Sequence, residues 1–409
     1  MRRQLILYLL SALAGIVGGL ITIAVVALVD LILELIWEEG VGISIDDPTR
    51  TIYIIPIFVA AGLIVGLINR VSKKPLAHFE EILEEVFTKG HINWRNTPRA
   101  ILVGLISLAS GASLGPEALA ASTSAGAAGF AAEKSKASPQ ASQVLSLGGI
   151  SGMLGSLLST PFLVPAMIIE GTNRAYEHIK ATVSYSLVAG AFGIGTFFAI
   201  FNKLYIIDTG LPSYSGSNLE DLAKAFIFGA AGALLGAIVF FVLNKLFAKV
   251  WRPLKAGPLL SGLAGGLVIG LVAFAVPLTM FSGQHSLPEL IAQSASLGFG
   301  ALLGIAFLKL FSTAFLIEAG FFGGPLFPAM FAATALGIAI NDVLNAPVSL
   351  AVAASMAGLL TLVLRQPLSA AILTIAVTGT VTAGAVAVAV AGAFPVLILI
   401  NRLTKNASS

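Results

Sequence analysis

Two short segments carry the residues that could do chemistry in this chain. Gly111-Ala112-Ser113-Leu114-Gly115-Pro116-Glu117 lies in the first half, and Gly323-Gly324-Pro325-Leu326-Phe327-Pro328 lies in the second half. Each segment joins glycines to a proline inside a long apolar stretch. Proline is favoured in the first turn of a helix, because its missing N–H would have no partner there. Each segment therefore predicts a helix that begins within apolar sequence.

The chemistry of such helix beginnings is anion binding. A helix N-terminus presents free N–H groups and about half a positive charge, so it attracts an anion without a full cation. Two facing ends would make a site from which the ion can still leave. The residues expected to form this site are Ser113, Leu114, Gly115, Pro116, Leu326 and Phe327. The chain has no cysteine and 4 scattered histidines, so we expect no metal site, and no cofactor other than the bound anion.

The two segments belong to an internal repeat. Pro328 lies 212 positions after Pro116, and Pro367 lies 206 positions after Pro161. Two motifs in the same order at nearly the same offset predict a repeat of about half the chain. We place the first membrane repeat at residues 1–207, a polar linker at 208–219 and the second repeat at 220–409. Paired broken helices in such a repeat point to an ion or substrate site at the middle of the bilayer.

Composition defines the class of protein. The chain is 57% hydrophobic and 11% charged, whereas a soluble domain carries roughly 25% charged residues. It is therefore predicted to be an all-α polytopic membrane protein with no soluble regulatory domain, since helices satisfy their own backbone groups in lipid. Three apolar segments are too short or interrupted to span simply: Leu102–Ser110, Ala118–Ala132 and Pro325–Leu336. A nucleic-acid partner is not expected, and neither is an enzyme, because no histidine lies in an apolar segment to activate a serine.

Loop charges predict that the repeat is inverted. The first hairpin loop is acidic, with Glu38, Glu39, Asp46 and Asp47 against Arg50, whereas the corresponding loop at 244–255 carries four basic residues and no acid. Basic loops favour the cytoplasmic side, so equivalent loops lie on opposite faces. Arg2 and Arg3 place the N-terminus in the cytoplasm. The apolar run from Leu5 to Trp37 is too long for a signal peptide and is expected to stay as a tilted first helix. The short loops favour the plasma membrane of a prokaryote.

The order of the motifs resembles the CLC family of chloride channels and transporters. The stretch from Lys309 to Pro328 is similar to that family's signature: Lys309, Thr313, Gly320, Gly323, Gly324 and Pro328 match it, and Leu326 replaces a phenylalanine. The resemblance implies a CLC-like fold and a homodimer with one anion pore per subunit. Ser72 aligns loosely with a family serine that touches the ion.

The chain departs from the family at its gating residues. Leu114 stands where the family has a gating glutamate, and Gly171, after Glu170, stands where exchangers have a second glutamate. The inner-gate tyrosine is also missing, since the last tyrosine is Tyr214. A leucine cannot carry a proton, so we expect passive, channel-like anion conduction with Leu114 as an apolar plug.

Several alternatives remain open at this stage. Glu117, in the first turn after Pro116, is either a replacement gate or a cap that accepts from backbone amides. Glu318 is a possible partner for Lys309 or Arg365. The expected bound anion is chloride or another halide, with chloride the default; fluoride, bromide, nitrate and bicarbonate stay open. The protein could instead be a proton-coupled chloride exchanger that uses Glu117, or an unrelated secondary transporter for an organic anion.

Overall fold

The computed structural model describes residues 2–72, 75–171, 176–216, 218–243 and 257–406. The basic loop predicted at 244–255 lies outside the described residues, so it provides no test of the inverted loop charges. Within the described ranges the regular structure is helical, apart from a single backbone bridge between Gly115 and Gly324. The prediction of an all-α polytopic fold is confirmed.

The first half contains eight described helices. Their bounds are α1 (Arg2–Leu33, continued as a π-helix over Glu34–Glu39), α2 (Ile54–Val71), α3 (Phe79–Lys89), α4 (Thr97–Ala109), α5 (Glu117–Lys134), α6 (Pro139–Leu158), α7 (Leu163–Gly171) and α8 (Tyr176–Phe201). The first helix is thus longer than predicted at both ends. Residues 204–216, after α8, form neither helix nor strand.

The second half contains seven described helices. Their bounds are α9 (Leu219–Ala237, continued as a π-helix over Ile238–Leu243), α10 (Pro258–Ala275), α11 (Leu287–Glu318), α12 (Leu326–Leu344), α13 (Val348–Leu364), α14 (Pro367–Thr378) and α15 (Ala383–Asn406). Gly298, with φ of 72°, interrupts α11.

Helix lengths separate full membrane spans from short helices. Nine described segments are long and apolar enough to cross a membrane. By contrast α4, α7 and α14 have 13, 9 and 12 residues, so each is too short for a simple span. The second-half helix predicted to end at Leu336 continues to Leu344 and reaches 19 residues, because the apolar pattern persists past Gly337.

Glycines pack the two halves into equivalent three-helix bundles. In the first bundle, α1, α6 and α8 meet where a Cβ on Gly152 would lie 2.2 Å from the carbonyl oxygen of Gly15. In the second, α9, α13 and α15 meet where a Cβ on Gly358 would lie 1.9 Å from the carbonyl oxygen of Gly229. Gly358 follows Gly152 by the same 206 positions that separate Pro367 from Pro161. Helix backbones approach this closely in membranes only through small residues.

The structure pairs Pro116 with a different proline of the second half from the one that the sequence repeat suggested. Pro116 directly precedes α5, and Pro325 directly precedes α12. The residue that corresponds to Pro116 is therefore Pro325, whereas the alignment paired Pro116 with Pro328. Pro328 lies inside the first turn of α12, where a proline is also tolerated because the N–H groups of that turn have no intrahelical partner. Two prolines within three residues explain the misalignment.

Replacing Gly152 with alanine should destabilise the first bundle. The new Cβ would overlap the Gly15 carbonyl oxygen, and forcing backbones apart in a packed core costs about 1–3 kcal/mol. Thermal unfolding of the detergent-solubilised protein measures the loss. Gly195→Ala, on α8 with open space around its Cβ position, is the matched control and should be neutral or slightly stabilising. Equal midpoints for the two variants would contradict the close packing of α1 against α6.

Candidate functional site

The two glycine–proline segments meet at the centre of the molecule. The N–H of Gly115 donates to the carbonyl oxygen of Gly324 (2.7 Å), and the N–H of Gly324 donates to the carbonyl oxygen of Gly115 (2.8 Å). This reciprocal antiparallel pair joins the first repeat to the second. Exchange of the same two bonds in both directions is what a local two-fold axis produces. The pair therefore sets the beginnings of α5 and α12 beside each other.

Both paired glycines leave room for one carboxyl group. A Cβ on Gly115 would lie 1.9 Å from Oε2 of Glu117, and a Cβ on Gly324 would lie 2.2 Å from Cδ of the same side chain. Any larger residue at either position would have to displace the Glu117 carboxyl group. Close approach to Glu117 is thus the physical reason for glycine at both positions.

The Glu117 side chain bridges the two helix beginnings. It is the first residue of α5, it is 0% exposed, and its Oε1 accepts a hydrogen bond of 2.6 Å from the N–H of Leu326, the first residue of α12. A carboxylate is favoured at a helix N-terminus by the free N–H groups and the helix dipole. Glu117 is therefore a cap, as one of the two sequence interpretations held, but it caps the opposite helix rather than its own.

The predicted amides are largely engaged with the protein in this conformation. The N–H of Leu114 donates to the carbonyl oxygen of Ala112 (2.7 Å), the N–H of Gly115 donates to Gly324, and the N–H of Leu326 donates to Glu117. Pro116 has no N–H, and Phe327 is buried in the first turn of α12. An anion could reach the N–H of Leu326 only if Glu117 released it. The place predicted for the anion, at the N–H of Leu326, is thus occupied by the carboxyl group of Glu117.

Ser113 faces a neighbouring helix. Its Oγ lies within hydrogen-bond distance of the carbonyl oxygen of Lys309 (3.2 Å) and of Oγ1 of Thr313 (3.1 Å). Thr313 in turn donates to the carbonyl oxygen of Ser113 (2.8 Å). All three residues are buried, so these bonds fasten the segment before α5 to α11. They also give Thr313 of the family-like signature a structural role.

Leu114 is buried directly before the paired Gly115. Its side chain is 0% exposed and lines a cavity of about 20 Å³ together with Pro116, Phe281 and Asp30. We call this space the small cavity. It is large enough for about one water molecule or one small ion. Leu114 thus lies on the wall of a small buried space, and its role as a plug stays a prediction.

Polar residues that sequence reasoning missed also line the small cavity. Gln284 and His285 lie on its wall, and Nε2 of Gln284 donates to the Oη of Tyr205 (3.2 Å). Burial, and then the nearby negative charge of Asp30, raises the pKa of Tyr205 to about 12, so its phenol stays protonated at neutral pH. These residues come from three separate segments with no shared motif, so only folding could bring them together.

Ser72 lies on the other side of the centre. It lines a larger opening of about 410 Å³, which we call the large recess, together with Glu318 and Phe322. The N–H of Phe322 donates to Oγ of Ser107 (3.0 Å), and the residue after Phe322 begins the Gly323-Gly324 pair. Ser72 therefore lies on the wall of this recess, which Phe322, just before the Gly323-Gly324 pair, also lines; its contact with an ion stays a prediction.

Lys309 is fully buried and is held by backbone oxygens. Its Nζ donates to the carbonyl oxygens of Thr279 (3.3 Å), Met280 (2.6 Å) and Phe281 (2.9 Å). The ring of Phe331 on α12 lies 4.8 Å away. The suggested partner Glu318 is instead exposed at the large recess. Arg365, the other suggested partner of Glu318, stacks over the ring of Phe241 at 4.5 Å.

A second carboxylate crosses between the repeats. Glu170, near the end of α7, accepts from the N–H groups of Leu368 (2.6 Å) and Ser369 (2.8 Å) at the beginning of α14. The Oγ of Ser369 donates to it as well (2.7 Å). Glu170 thus caps the beginning of α14. Glu117 and Glu170 thus make the same kind of contact. In each case an acid from the first repeat accepts hydrogen bonds at the beginning of a helix in the second repeat.

Comparison with known proteins defines the family. The family model described as "Voltage gated chloride channel" matches residues 57–396, which include both central segments. This protein belongs to that family of membrane anion channels and transporters. The YfeO proteins of Salmonella paratyphi A and Salmonella typhimurium, by name ion-transport proteins, are each 27% identical over 380 residues, covering 89% of this chain and 88% of theirs.

Solved structures share the fold. A slow cyanobacterial Cl⁻/H⁺ antiporter matches with a TM-score of 0.78 and 17% identity over 97% of both chains. A CLC-type fluoride/proton antiporter matches with a TM-score of 0.71 and 17% identity, covering 95% of this chain and 94% of that one. At these identities the likeness shows the fold, and the activities belong to those proteins.

The bonds between Ser113 and Thr313 should contribute measurably to stability. Thr313→Val removes the donor to the buried carbonyl oxygen of Ser113, and an unsatisfied buried polar group costs about 1–3 kcal/mol. Unfolding of the purified protein in detergent measures the change. Thr334→Val is the control: Oγ1 of Thr334 donates only within its own helix, to Met330 (2.9 Å), so its loss should cost under about 1 kcal/mol. An equal effect of both variants would refute the fastening role of Thr313.

Proposed function

We propose that this protein conducts small inorganic anions, chloride by default, across the membrane between the beginnings of α5 and α12. The observation that carries the proposal is the buried carboxyl group of Glu117 on the N–H of Leu326. A negative group of the chain occupies the place where a helix dipole favours negative charge. The same place suits a small anion once Glu117 withdraws or takes up a proton.

The dimensions of the centre favour a small ion over an organic anion. The small cavity behind Leu114 measures about 20 Å³, while ligand pockets for organic molecules measure roughly 300–1,000 Å³. The large recess could admit an organic acid, yet the described residues that line it include neither Leu114 nor Glu117. The alternative of an organic-anion transporter therefore has less support.

Glu117 is the proposed gate of the pathway. Protonation removes its negative charge and weakens its hold on the N–H of Leu326, so anion flux should rise as the pH falls. In Glu117→Gln the side chain keeps nearly the same shape without the charge, and we expect high flux that is independent of pH. Chloride efflux from liposomes of purified protein, under an imposed chloride gradient at a series of pH values, measures both.

One control variant and two contrary results test the gating role of Glu117. Glu318→Gln removes an exposed acid at the large recess and should keep the pH dependence of the wild type. If Glu117→Gln has the flux and pH dependence of the wild type, Glu117 is only a structural cap. If neither protein passes chloride, bromide or nitrate, the proposed function is wrong.

Leu114 is the proposed constriction. Leu114→Ala removes part of the apolar wall of the small cavity, and we expect flux to rise several-fold, with dehydration of the ion no longer limiting. The same liposome assay measures the change. Leu316→Ala, which truncates another fully buried leucine, controls for general loosening of the core. Unchanged flux in Leu114→Ala, alongside a normal fold, would exclude Leu114 from the pathway.

A proton-coupled chloride exchanger is the second candidate. The position of Glu117 favours it, since a buried carboxyl group that competes with the anion could also carry a proton. A pH indicator inside the liposomes separates the two. Passive conduction leaves the internal pH unchanged during chloride flux, whereas an exchanger drives protons against their gradient.

Assembly and location follow from the family resemblance. We infer a homodimer with one pore per subunit, in a prokaryotic plasma membrane with the N-terminus in the cytoplasm. The bacterial source of the YfeO relatives supports this location. Light scattering of the purified protein, corrected for bound detergent, tests the dimer; a monomeric mass would exclude it.

A further inference from the structure

A buried amide in the wall of the small cavity has an oxygen without a partner. Gln284 is 8% exposed, and its Nε2 lies 3.2 Å from the Oη of Tyr205 and 3.0 Å from Nε2 of His285. Its Oε1 is buried and accepts no hydrogen bond from the described residues. Buried polar atoms are almost always satisfied by protein, water or an ion. Gln284 lines the small cavity, which has room for about one water molecule or one small ion.

The contact between Gln284 and His285 depends on the protonation of the imidazole. An amide nitrogen only donates, so Nε2 of His285 must accept in this conformation, and the ring is neutral with its proton on Nδ1. An imidazolium carries a proton on both nitrogens and can only donate. Histidine is the side chain that changes between these states around neutral pH. Protonation of His285 therefore sets two donors against each other.

Rotation of the Gln284 carboxamide about its last bond removes this conflict. The oxygen and the nitrogen of an amide have nearly the same shape, so the rotation exchanges them in place. Oε1 then accepts from Nε2 of His285 and from the phenol of Tyr205, which keeps its proton because burial raises its pKa to about 12. The group left without a partner is now the NH₂ group, which offers donors instead of an acceptor.

We propose that Gln284 is an anion ligand of the small cavity, and that protonation of His285 turns its amide so that the N–H groups bind the ion. The ligand is a small inorganic anion such as a halide, since the site supplies donors and little room. The inference rests on the proposed function and adds a second site to it. The described residues that line this site include Leu114 but neither Leu326 nor Glu117.

The charge of Asp30 acts in the same direction as the amide. Asp30, on α1, lines the small cavity, and its charge interacts with His285 and with Tyr205. When His285 is neutral, the carboxylate of Asp30 repels an anion. When His285 is protonated, the imidazolium balances that carboxylate. His285 lies in a turn and is exposed, so it can exchange protons with solvent.

Other charged groups on the elements around the cavity define the controls. They are Glu34, Glu38, Asp46, Glu117, Glu289 and Lys309. Lys309 is held by the carbonyl oxygens of residues 279–281, directly before this segment. Glu117 also titrates in the proposed function, so the experiments must separate its protonation from that of His285.

Diffraction with bromide locates the ion directly. Crystals of the purified protein are soaked in sodium bromide at about pH 5.5 and at about pH 8, on either side of the usual range for histidine. Anomalous scattering then shows where bromide binds. In the wild type we expect bromide beside Gln284 at the lower pH, with an affinity on the order of fivefold weaker at the higher pH.

Variants separate the amide, the imidazole and the central carboxyl group. Gln284→Met has similar length and no donor, so the cavity should bind no bromide at either pH. His285→Lys can only donate, so the amide should stay turned and the cavity should bind bromide at both pH values. Glu117→Gln is the control and should keep the pH dependence of the wild type at this cavity.

Liposome flux gives a second measurement in solution. In Glu117→Gln the central carboxyl group does not titrate. The chloride concentration that gives half-maximal flux should therefore fall on the order of fivefold from about pH 8 to about pH 5.5, through His285 alone. Adding His285→Lys should make that concentration constant. The maximal flux of Glu117→Gln should not depend on pH, because His285 changes the occupancy of the small cavity and not the constriction.

Each result supports or overturns the assignment. Bromide bound equally at both pH values in the wild type, or bound as before in a folded Gln284→Met, overturns it. Bromide at the N–H of Leu326 and none in the small cavity also overturns it, while the proposed function stands. Absence of bromide from both places, together with absence of chloride flux, shows that the proposed function is wrong as well. If the variants fail to fold, the wild-type comparison at the two pH values decides alone.

Discussion

The reciprocal hydrogen bonds between Gly115 and Gly324 are the constraint on which the centre of this protein depends. They join the two repeats by backbone alone, inside a buried region where an unpaired N–H or carbonyl group would be costly. Because both residues are glycines, the backbones approach closely and leave space for one carboxyl group. The beginnings of α5 and α12 are thereby fixed beside each other, and Glu117 is fixed between them.

Backbone dipoles, rather than ion pairs, stabilise the buried charges at this centre. Glu117 lies on a helix N-terminus, and Lys309 lies among three carbonyl oxygens. Glu170 repeats the first arrangement at the beginning of α14. Backbone dipoles stabilise each of these charges without a directly paired counter-ion.

This chain resembles CLC proteins in its fold and departs from them at Leu114. The family's fold is retained over nearly the whole chain at 17% identity to a solved antiporter, while Leu114 stands where the resemblance implies a gating glutamate. In this chain an acid three residues further on lies at the same pair of helix beginnings, with its oxygen on the second repeat. The fold supplies the helix N-terminus, and in this chain the acid that lies on it is Glu117.

Sequence by itself determined the all-α membrane fold, the two repeats and the two helix beginnings, because hydropathy, glycine and proline act locally. It misaligned Pro116 with Pro328, since Pro325 lies only three residues earlier and both suit a first turn. It also left Glu117 between gate and cap and suggested Glu318 for Lys309. Only the tertiary structure showed which groups these side chains contact: Glu117 and Lys309 bond to backbone groups 209 and 28–30 positions away, while a gating role of Glu117 stays a proposal. Every residue carries the same backbone N–H and carbonyl, so no residue type in the sequence marks which of them will be the partner.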